Sequence, residues 1–296
     1  MPVPGGGKRN ADESSKSASP AARNGGGTGK KRIEKGAFTG YIIAIMRIFE
    51  EQLRLRYRDV NREGTVKAYS WFDFMQEIAA DHAAALRFGY REMTELGVFW
   101  VLARLRLRIF RRVQVGETLT LETWPGAFRR LFAARHFRFL AADGGEIAAA
   151  SSQWMILSLE NQRPRRVDIV GDRMPDTADL PAYFDFSSRL PSVPAEGPAR
   201  VFPVRYSMED VNGHLNNAQY MALAQDAVED EAGVPVVFEE LEATFHSAVR
   251  APDELSLYVA EDGDGRDRLV SGYKKDGTLS FCAALRGVEK NPDGTN

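Results

Sequence analysis

The sequence contains little cysteine, little histidine and no long apolar run. Its one cysteine, Cys282, cannot form an internal disulfide, which favours a protein of the reducing cytoplasm. Among its four histidines, His82 and His136 lack companions at metal-ligand spacing, so we expect no metal site and no cofactor. The most apolar early stretch, YIIAIM, is too short to cross a bilayer. These shortages predict a cytoplasmic protein without a membrane span.

Acidic and basic residues are balanced overall but unevenly distributed. The formal net charge is −2, yet residues 1–165 carry +10 and residues 166–296 carry −12. The basic first part would suit an acidic partner, although a solvated face of arginines is the simpler interpretation. The same two interpretations apply to Arg129, Arg130, Arg135 and Arg138. No segment resembles a DNA-reading helix-turn-helix, so we expect no nucleic-acid partner.

Composition divides the chain into five segments. The first 36 residues are rich in Gly, Ser and Lys and lack an apolar signal region, which predicts a disordered arm and no secretory signal. A proline-rich stretch without periodicity follows later and is typical of a long connection. The predicted segments are an arm (1–36), an N-terminal domain (37–165), a linker (166–203), a C-terminal domain (204–288) and a tail (289–296). Order is expected to begin near Phe38.

Each of the two domains shows a helix pattern followed by strand patterns. In the first, helical spacing runs through 70–89 to a final glycine, and alternation follows at 103–109, at 118–123 and around the DGG turn of 135–159. In the second, a helical pattern at 217–233 precedes four strand-like stretches. This order predicts an α+β fold in which an antiparallel sheet wraps around a central helix, twice along the chain.

The two domains also share a short internal repeat. DVNREGTVKAY (59–69) aligns without a gap on DVNGHLNNAQY (210–220), with Asp59 on Asp210. A glutamate then stands opposite His214. We interpret the repeat as a duplication in which one copy kept a site and the other diverged.

The second copy gathers a carboxylate, an amide and an imidazole. Asp210, Asn212 and His214 occupy alternate positions before a helix, and alternate side chains of an extended chain project to one side. Such a set suits attack of water on an ester or thioester, with the amide donating to the oxyanion and the imidazole acting as base. Asn216 or Asn217 would cap the helix, whose free N–H groups suit a carbonyl. The alternative is that the first two residues only shape an Asx-type turn and the histidine is incidental.

The stretch D-V-N-G-H-L-N-N-A-Q-Y resembles the D-x-N-x-H-x-N-N-x-x-Y signature of acyl-acyl carrier protein thioesterases. ETWPGAFRRLFAARHFRFLAADGGEIAAASSQWMIL (122–157) is similar to that family's Thr-Trp-Pro, Arg-x-Phe, Gly-Glu and Trp run. FMQEIAADHA and GVFWVLARLRLRI resemble the family too. The resemblance covers about residues 40–288.

The resemblance implies a tandem of two hotdog domains that hydrolyses the thioester of acyl-acyl carrier protein, releases free fatty acid and ends fatty acid synthesis. The carboxylate, amide and imidazole would be catalytic, with Asp210 either attacking the thioester or positioning the water. Asn216, Asn217 and Trp124 would contact the substrate. The first domain would hold the acyl chain and the second the chemistry. The partner would be an acyl carrier protein carrying a fatty acyl group, and the enzyme a monomer or homodimer.

One position departs from the family pattern. The family commonly has a glutamate in the strand after the second helix, and Ala248 stands there in TFHSAVRAPDEL. The alternatives are that the reaction runs without it, that Glu242 or His246 replaces it, or that activity is weak. A non-catalytic binder of acyl chains or acyl carrier protein, with a decayed site, is therefore an alternative function, as is an acyl-CoA thioesterase. A hydratase is disfavoured because Gly213 replaces the proline of the D-x-N-P-x-H pattern.

Overall fold

The computed structural model of the protein describes residues 47–263 and 265–290. The expected arm at 1–36, the expected start of order near Phe38 and most of the expected tail at 289–296 lie outside these residues. Within the described ranges, no helix is long and apolar enough to cross a membrane.

The described elements are helices and strands in an order that repeats. The helices are α1 (Ala68–Ala85), α2 (Tyr90–Glu95) and α3 (Asn217–Ala232). The strands of the first half are β1 (Phe49–Arg54), β2 (Val98–Ile109), β3 (Thr118–Arg129), β4 (Phe132–Leu140), β5 (Glu146–Ser158) and β6 (Pro164–Arg165). The strands of the second half are β7 (Arg200–Pro203), β8 (Val236–Val237), β9 (Glu240–Phe245), β10 (Glu254–Asp262), β11 (Asp267–Lys274), β12 (Leu279–Arg286) and β13 (Glu289–Lys290). Short 3₁₀ helices lie at Tyr57–Asp59, Val167–Arg173 and Tyr206–Met208.

Most of the strands form one antiparallel sheet whose two halves follow the same order. That order is β1-β3-β4-β5-β2 in the first half and β7-β10-β11-β12-β9 in the second. The halves meet where β2 pairs with β9. β6 adds to β5, and β8 pairs with β13 separately. An antiparallel sheet with few helices confirms the α+β expectation, and the repeated order agrees with the repeat of helix and strands predicted from the sequence.

The two long helices pack against each other on the inner face of the sheet. The backbone N–H of Ala68, at the start of α1, donates to Gln225 Oε1 in the middle of α3 (2.9 Å). Conversely, Gln76 Nε2, in the middle of α1, donates to Asn216 Oδ1 at the start of α3 (3.0 Å). The helices therefore run antiparallel, and the C-terminal half of α1 extends beyond the start of α3. One buried apolar cluster continues through both halves.

Residues 181–193, named here the strap, cross the outer face of the sheet. In the first half, the Phe184 N–H donates to Ser151 Oγ (3.1 Å). In the second half, the Val193 N–H donates to Ser271 Oγ (2.9 Å). The strap, which is the middle part of the predicted linker, is thus irregular in structure and bonded to both halves.

The arginines of β2 lie on that outer face, under the strap. Arg104 pairs with Glu242 (3.5 Å) and Arg106 pairs with Glu240 (2.8 Å) across the junction of β2 with β9. Each guanidinium lies 4.9 Å from the ring centre of a strap phenylalanine. The predicted alternation of β2 is confirmed. A solvated face is wrong for Arg104, whose side chain is only 12% exposed, whereas Arg106 is covered in part and stays 33% exposed.

Two predicted boundaries are wrong. The first helix ends at Ala85 rather than at Gly89, because Arg87 adopts a left-handed conformation (φ 63°). The N–H groups of Arg87 and Phe88 then bond back to carbonyls of the last turn (3.0 Å each), as in a Schellman motif. Gly89 instead forms the N-cap of α2.

The predicted linker also contains a strand. β7 occupies its last four residues and pairs with β10 at the sheet edge, so the second half begins before residue 204. A strand that ends on proline is tolerated at an edge, which explains why the proline-rich composition concealed it.

We predict that Glu242→Ala lowers the free energy of unfolding by about 3 kcal/mol, because it leaves the largely buried Arg104 without a carboxylate partner. Arg286 loses one partner too but keeps Glu240 and Asp267. Chemical denaturation measures the change. Glu95→Ala, which removes the acid of an exposed pair with Arg91, is the matched control and should give a change too small to resolve. Equal effects of the two substitutions would contradict the prediction.

Candidate active site

Each half of the chain contains the same corner immediately before its long helix. In the first half, a 3₁₀ helix is followed by a bridge between Val60 and Val66 and then by α1. In the second half, a 3₁₀ helix is followed by a bridge between Glu209 and Leu215 and then by α3. The duplicated motif therefore builds a duplicated local structure.

The equivalent bridges correct the alignment of the repeat. They place Asn61, not Asp59, opposite Asp210, and Thr65 opposite His214. The alignment of 59–69 on 210–220 is therefore shifted by two residues from the structural equivalence. The shift arose because both segments contain the tripeptide Asp-Val-Asn at positions that are not structurally equivalent.

The corner of the second half is a tight turn and not an extended segment. Asp210 Oδ1 accepts hydrogen bonds from the N–H groups of Asn212 (2.8 Å) and His214 (3.3 Å). The Asp210 N–H donates to the carbonyl of His214 (2.8 Å), and Gly213 has a φ of 68°. The prediction of an extended chain with alternating side chains is wrong. An Asx-type turn gathers the three residues instead.

The corner of the first half shows what this turn requires. Asn61 Oδ1 accepts from the N–H groups of Glu63 (3.0 Å) and Thr65 (3.1 Å), in the same pattern as Asp210. An amide oxygen therefore shapes the turn as well as a carboxylate does. The negative charge of Asp210 is not needed for the local structure, which leaves it free for chemistry.

Asn216 begins α3 as its N-cap, as predicted for this position or its neighbour. Its Oδ1 accepts from the Ala218 N–H (2.8 Å) and from Gln76 Nε2 (3.0 Å). The second bond links the corner to the middle of α1. Asn217 is the first residue of the helix.

His214 is half-buried and contacts an arginine. Arg250 Nη2 lies 2.8 Å from His214 Nε2, which makes that nitrogen the acceptor and leaves the proton on Nδ1. Burial, together with the positive charge of Arg250, lowers the pKa of His214, while the negative charges of Asp210 and Glu209 act in the opposite direction. The imidazole is therefore held neutral near pH 7, the form that a base requires.

The loop that carries Arg250 is fixed to the corner through Val249. Its carbonyl accepts from the Leu215 N–H (2.8 Å), and its N–H donates to the hydroxyl of Tyr220 (3.2 Å). The last tyrosine of the sequence motif thus positions the loop beside the imidazole.

Ala248 occupies the position where the family has a glutamate, and neither Glu242 nor His246 is placed to replace that glutamate. Glu242 lies on the outer face of the sheet, where it pairs with Arg104 and Arg286. Burial and nearby arginines lower the pKa of His246, and its N–H bonds back to the sheet. The acids whose charges act on His214 are Asp210 and Glu209.

A cavity of about 150 Å³ opens beside this corner. Asn212 lines it from the second half, and Gln76 lines it from α1. Apart from Met174, the rest of the wall belongs to the first half, and it is mostly apolar: Ala79, Ala80, Ala83, Phe88, Met93, Phe99, Trp100 and Trp154. Small residues on one face of α1 thus leave room for an apolar ligand that begins at Asn212.

Trp124 lies elsewhere. Its Nε1 donates to the carbonyl of Pro181 in the strap (3.1 Å), and its ring packs near His136 and Tyr183. It therefore faces the outer side of the sheet and does not line the cavity, so the structure gives no support to its predicted contact with substrate.

Sequence reasoning missed three residues around the site. Gln76 lies in FMQEIAADHA, a stretch already noticed for its resemblance, but its bond to Asn216 depends on helix packing. Arg135 was grouped with surface arginines, although it is 6% exposed and lines the cavity. Arg250 carries no sequence signal, since its place depends on the pairing of Leu215 with Val249.

Comparison with known proteins relates the first half of the chain to one family. Residues 46–170 match the family model of the acyl-ACP thioesterase N-terminal domain. Oleoyl-acyl carrier protein thioesterase 1 of Arabidopsis thaliana, a chloroplastic protein, is 25% identical over 208 residues, which cover 62% of this chain and 55% of that protein. The chain therefore spans about half the length of the curated relatives it matches.

Solved structures show the same fold. An acyl-ACP thioesterase from Bacteroides thetaiotaomicron matches with a TM-score of 0.71 and 23% identity, covering 82% of this chain and 98% of that one. The 12:0-ACP thioesterase from Umbellularia californica matches with a TM-score of 0.71 and 18% identity over the same shares. At these identities the likeness bears on the fold alone.

We predict that Arg250→Ala raises the pKa of His214, because it removes the nearer of the two positive charges that lower it, while Asp210 and Glu209 keep raising it. NMR titration of the imidazole C–H signals measures the shift, with His214→Ala assigning the resonance. Arg250→Lys keeps the charge and should give a smaller rise. An unchanged or lower pKa in Arg250→Ala would rule out this account of the imidazole.

Proposed function

Since the chain belongs to the acyl-acyl carrier protein thioesterase family, we propose that it hydrolyses the thioester of acyl-acyl carrier protein, releases free fatty acid and ends fatty acid synthesis. The observation that carries the proposal is the position of Asn212. This residue belongs to the polar corner and also lines the apolar cavity, so an acyl chain in the cavity brings its carbonyl to the corner.

The corner provides a role for each of its groups. Arg250 first moves away from His214 Nε2, with which it is hydrogen-bonded. Water then attacks the thioester carbonyl while His214 Nε2 accepts a proton from that water. The Asn212 amide and the free N–H groups at the start of α3 stabilise the oxyanion. The intermediate then expels the carrier thiolate, which takes the proton back from His214. The Asp210 charge favours the protonated imidazole, and direct attack by its carboxylate remains the alternative.

We further propose that the two halves are tandem hotdog domains with divided labour. The first, predicted at 37–165, holds the acyl chain, since nearly all cavity-lining residues belong to it. The second, predicted at 204–288, supplies the chemistry from its corner. One chain contains both, so a monomer suffices and a homodimer is not required. The cytoplasmic location predicted from the single, buried Cys282 stays a prediction.

The main test measures thiol release from a panel of acyl-acyl carrier protein thioesters. His214→Ala should lower kcat by about 10²–10⁴-fold, and Asn212→Ala by about 10²–10³-fold. Asp210→Asn is the sharpest variant, because Asn61 already makes the same turn in the first half. It should lose activity while its melting temperature stays unchanged. Wild-type rates in all three variants would reject the proposed site.

The pH profile gives an independent prediction. The lowered pKa of His214 means that the neutral base persists into mildly acidic solution. The acid limb of kcat/KM should therefore fall with an apparent pKa below the ordinary histidine value of about 6.5. A limb above that value would show that another group controls the reaction.

A non-catalytic binder is the second candidate, favoured by one observation. Ala248 lies exposed beside the corner and brings no acid to it. A binder would retain acyl ligand in the cavity without releasing thiol above background. Parallel assays with acyl-CoA thioesters separate the third alternative, an acyl-CoA thioesterase.

A further inference from the structure

A buried arginine forms part of the cavity wall. Arg135 lies on β4, is 6% exposed and lines the cavity that is otherwise mostly apolar. Its Nη1 is 3.1 Å from His82 Nδ1 on α1 and donates to Thr123 Oγ1 on β3 (3.2 Å). Both recorded hydrogen bonds of the guanidinium thus leave from one nitrogen, and neither acceptor is a carboxylate. A guanidinium has five N–H donors, so further donors remain for a ligand.

Arg135 differs from the half-buried arginines Arg104 and Arg138 in having no acidic partner among the described residues. Arg104 pairs with Glu242, and Arg138, three residues along the same strand, pairs with Glu122. Among the residues that the structure describes, no carboxylate lies within ion-pair distance of Arg135, and burial alone lowers its pKa to about 10. Burying a charge without a partner of opposite charge destabilises the folded protein, so a ligand that binds the Arg135 guanidinium would explain why this arginine lines the cavity.

The position of Arg135 along the cavity indicates what it would meet. Gln76, which contacts the corner through Asn216, lies six residues before His82 on α1. At 1.5 Å per residue, Arg135 sits about 9 Å farther along the helix than the polar corner. A group that reaches it is therefore in the distal part of the acyl chain and not beside the thioester.

We propose that this cavity selects acyl chains that carry an oxygen acceptor, a hydroxyl, oxo or carboxylate group, in their distal part, and that Arg135 binds it. The inference rests on the proposed function in one respect, namely that the acyl chain enters this cavity. A plain hydrocarbon chain would bury the guanidinium without a new partner, whereas an oxygenated chain gives it a charge-assisted hydrogen bond. Sites built to hydrogen-bond a ligand discriminate strongly against the analogue that lacks the group.

The test compares binding rather than turnover. Straight-chain fatty acids of graded length, each paired with its ω-hydroxy and ω-carboxy counterpart, are titrated into the full chain carrying His214→Ala by calorimetry. At the matching length, the oxygenated acid should bind at least about tenfold more tightly than its parent. Arg135→Met, added to this background, should remove that preference. Arg138→Met, which changes an arginine on the opposite face of the same strand, is the matched control and should keep it.

Two outcomes would overturn the inference: equal or tighter binding of the plain acid at every length, or a preference that survives Arg135→Met. If Arg135→Met does not fold, the comparison of acids in the Arg135 protein decides alone. Thiol release is assayed separately on the wild-type chain. Preferential binding without thiol release would reject the hydrolase and keep this inference, whereas thiol release without preference would do the reverse.

Discussion

The pairing of β2 with β9 is the interaction on which the rest of the structure depends. It joins two half-sheets of the same strand order into one, and it sets the two long helices side by side and antiparallel. Because of that arrangement, the start of α3 meets the middle of α1 through Gln76 and Asn216. The polar corner of one half therefore opens onto the cavity of the other, which neither half would achieve alone.

The sequence predicted the periodic parts of this fold well. β10 lies where alternation placed it, since mainly one face of that strand is buried, and the hairpin of β4 and β5 lies where the DGG turn placed it. The end of α1 was missed because an arginine, not a glycine, takes the left-handed position. β7 was missed because an edge strand needs little apolar alternation. Such features depend on local geometry that composition does not encode.

The candidate site was predictable in its members but not in its geometry. The types and order of Asp210, Asn212 and His214 indicated their chemistry, while the assumption of an extended chain misjudged how they meet. The neighbours Arg250 and Arg135 were beyond sequence reasoning because long-range packing brings them to the site. The corner of the first half shows that an amide, that of Asn61, forms the same turn. The negative charge of Asp210 is therefore not required for the turn, and its role in the chemistry can be tested separately.

The strap affects how the protein unfolds. It is hydrogen-bonded to β5 in one half and to β11 in the other, on the face opposite the helices. If one half unfolds, the strap loses its hydrogen bonds to that half and no longer packs in the same way on the other. The two halves should therefore unfold on heating as a single cooperative unit. Proteolytic cleavage of the strap would leave two fragments that stay associated through the pairing of β2 with β9.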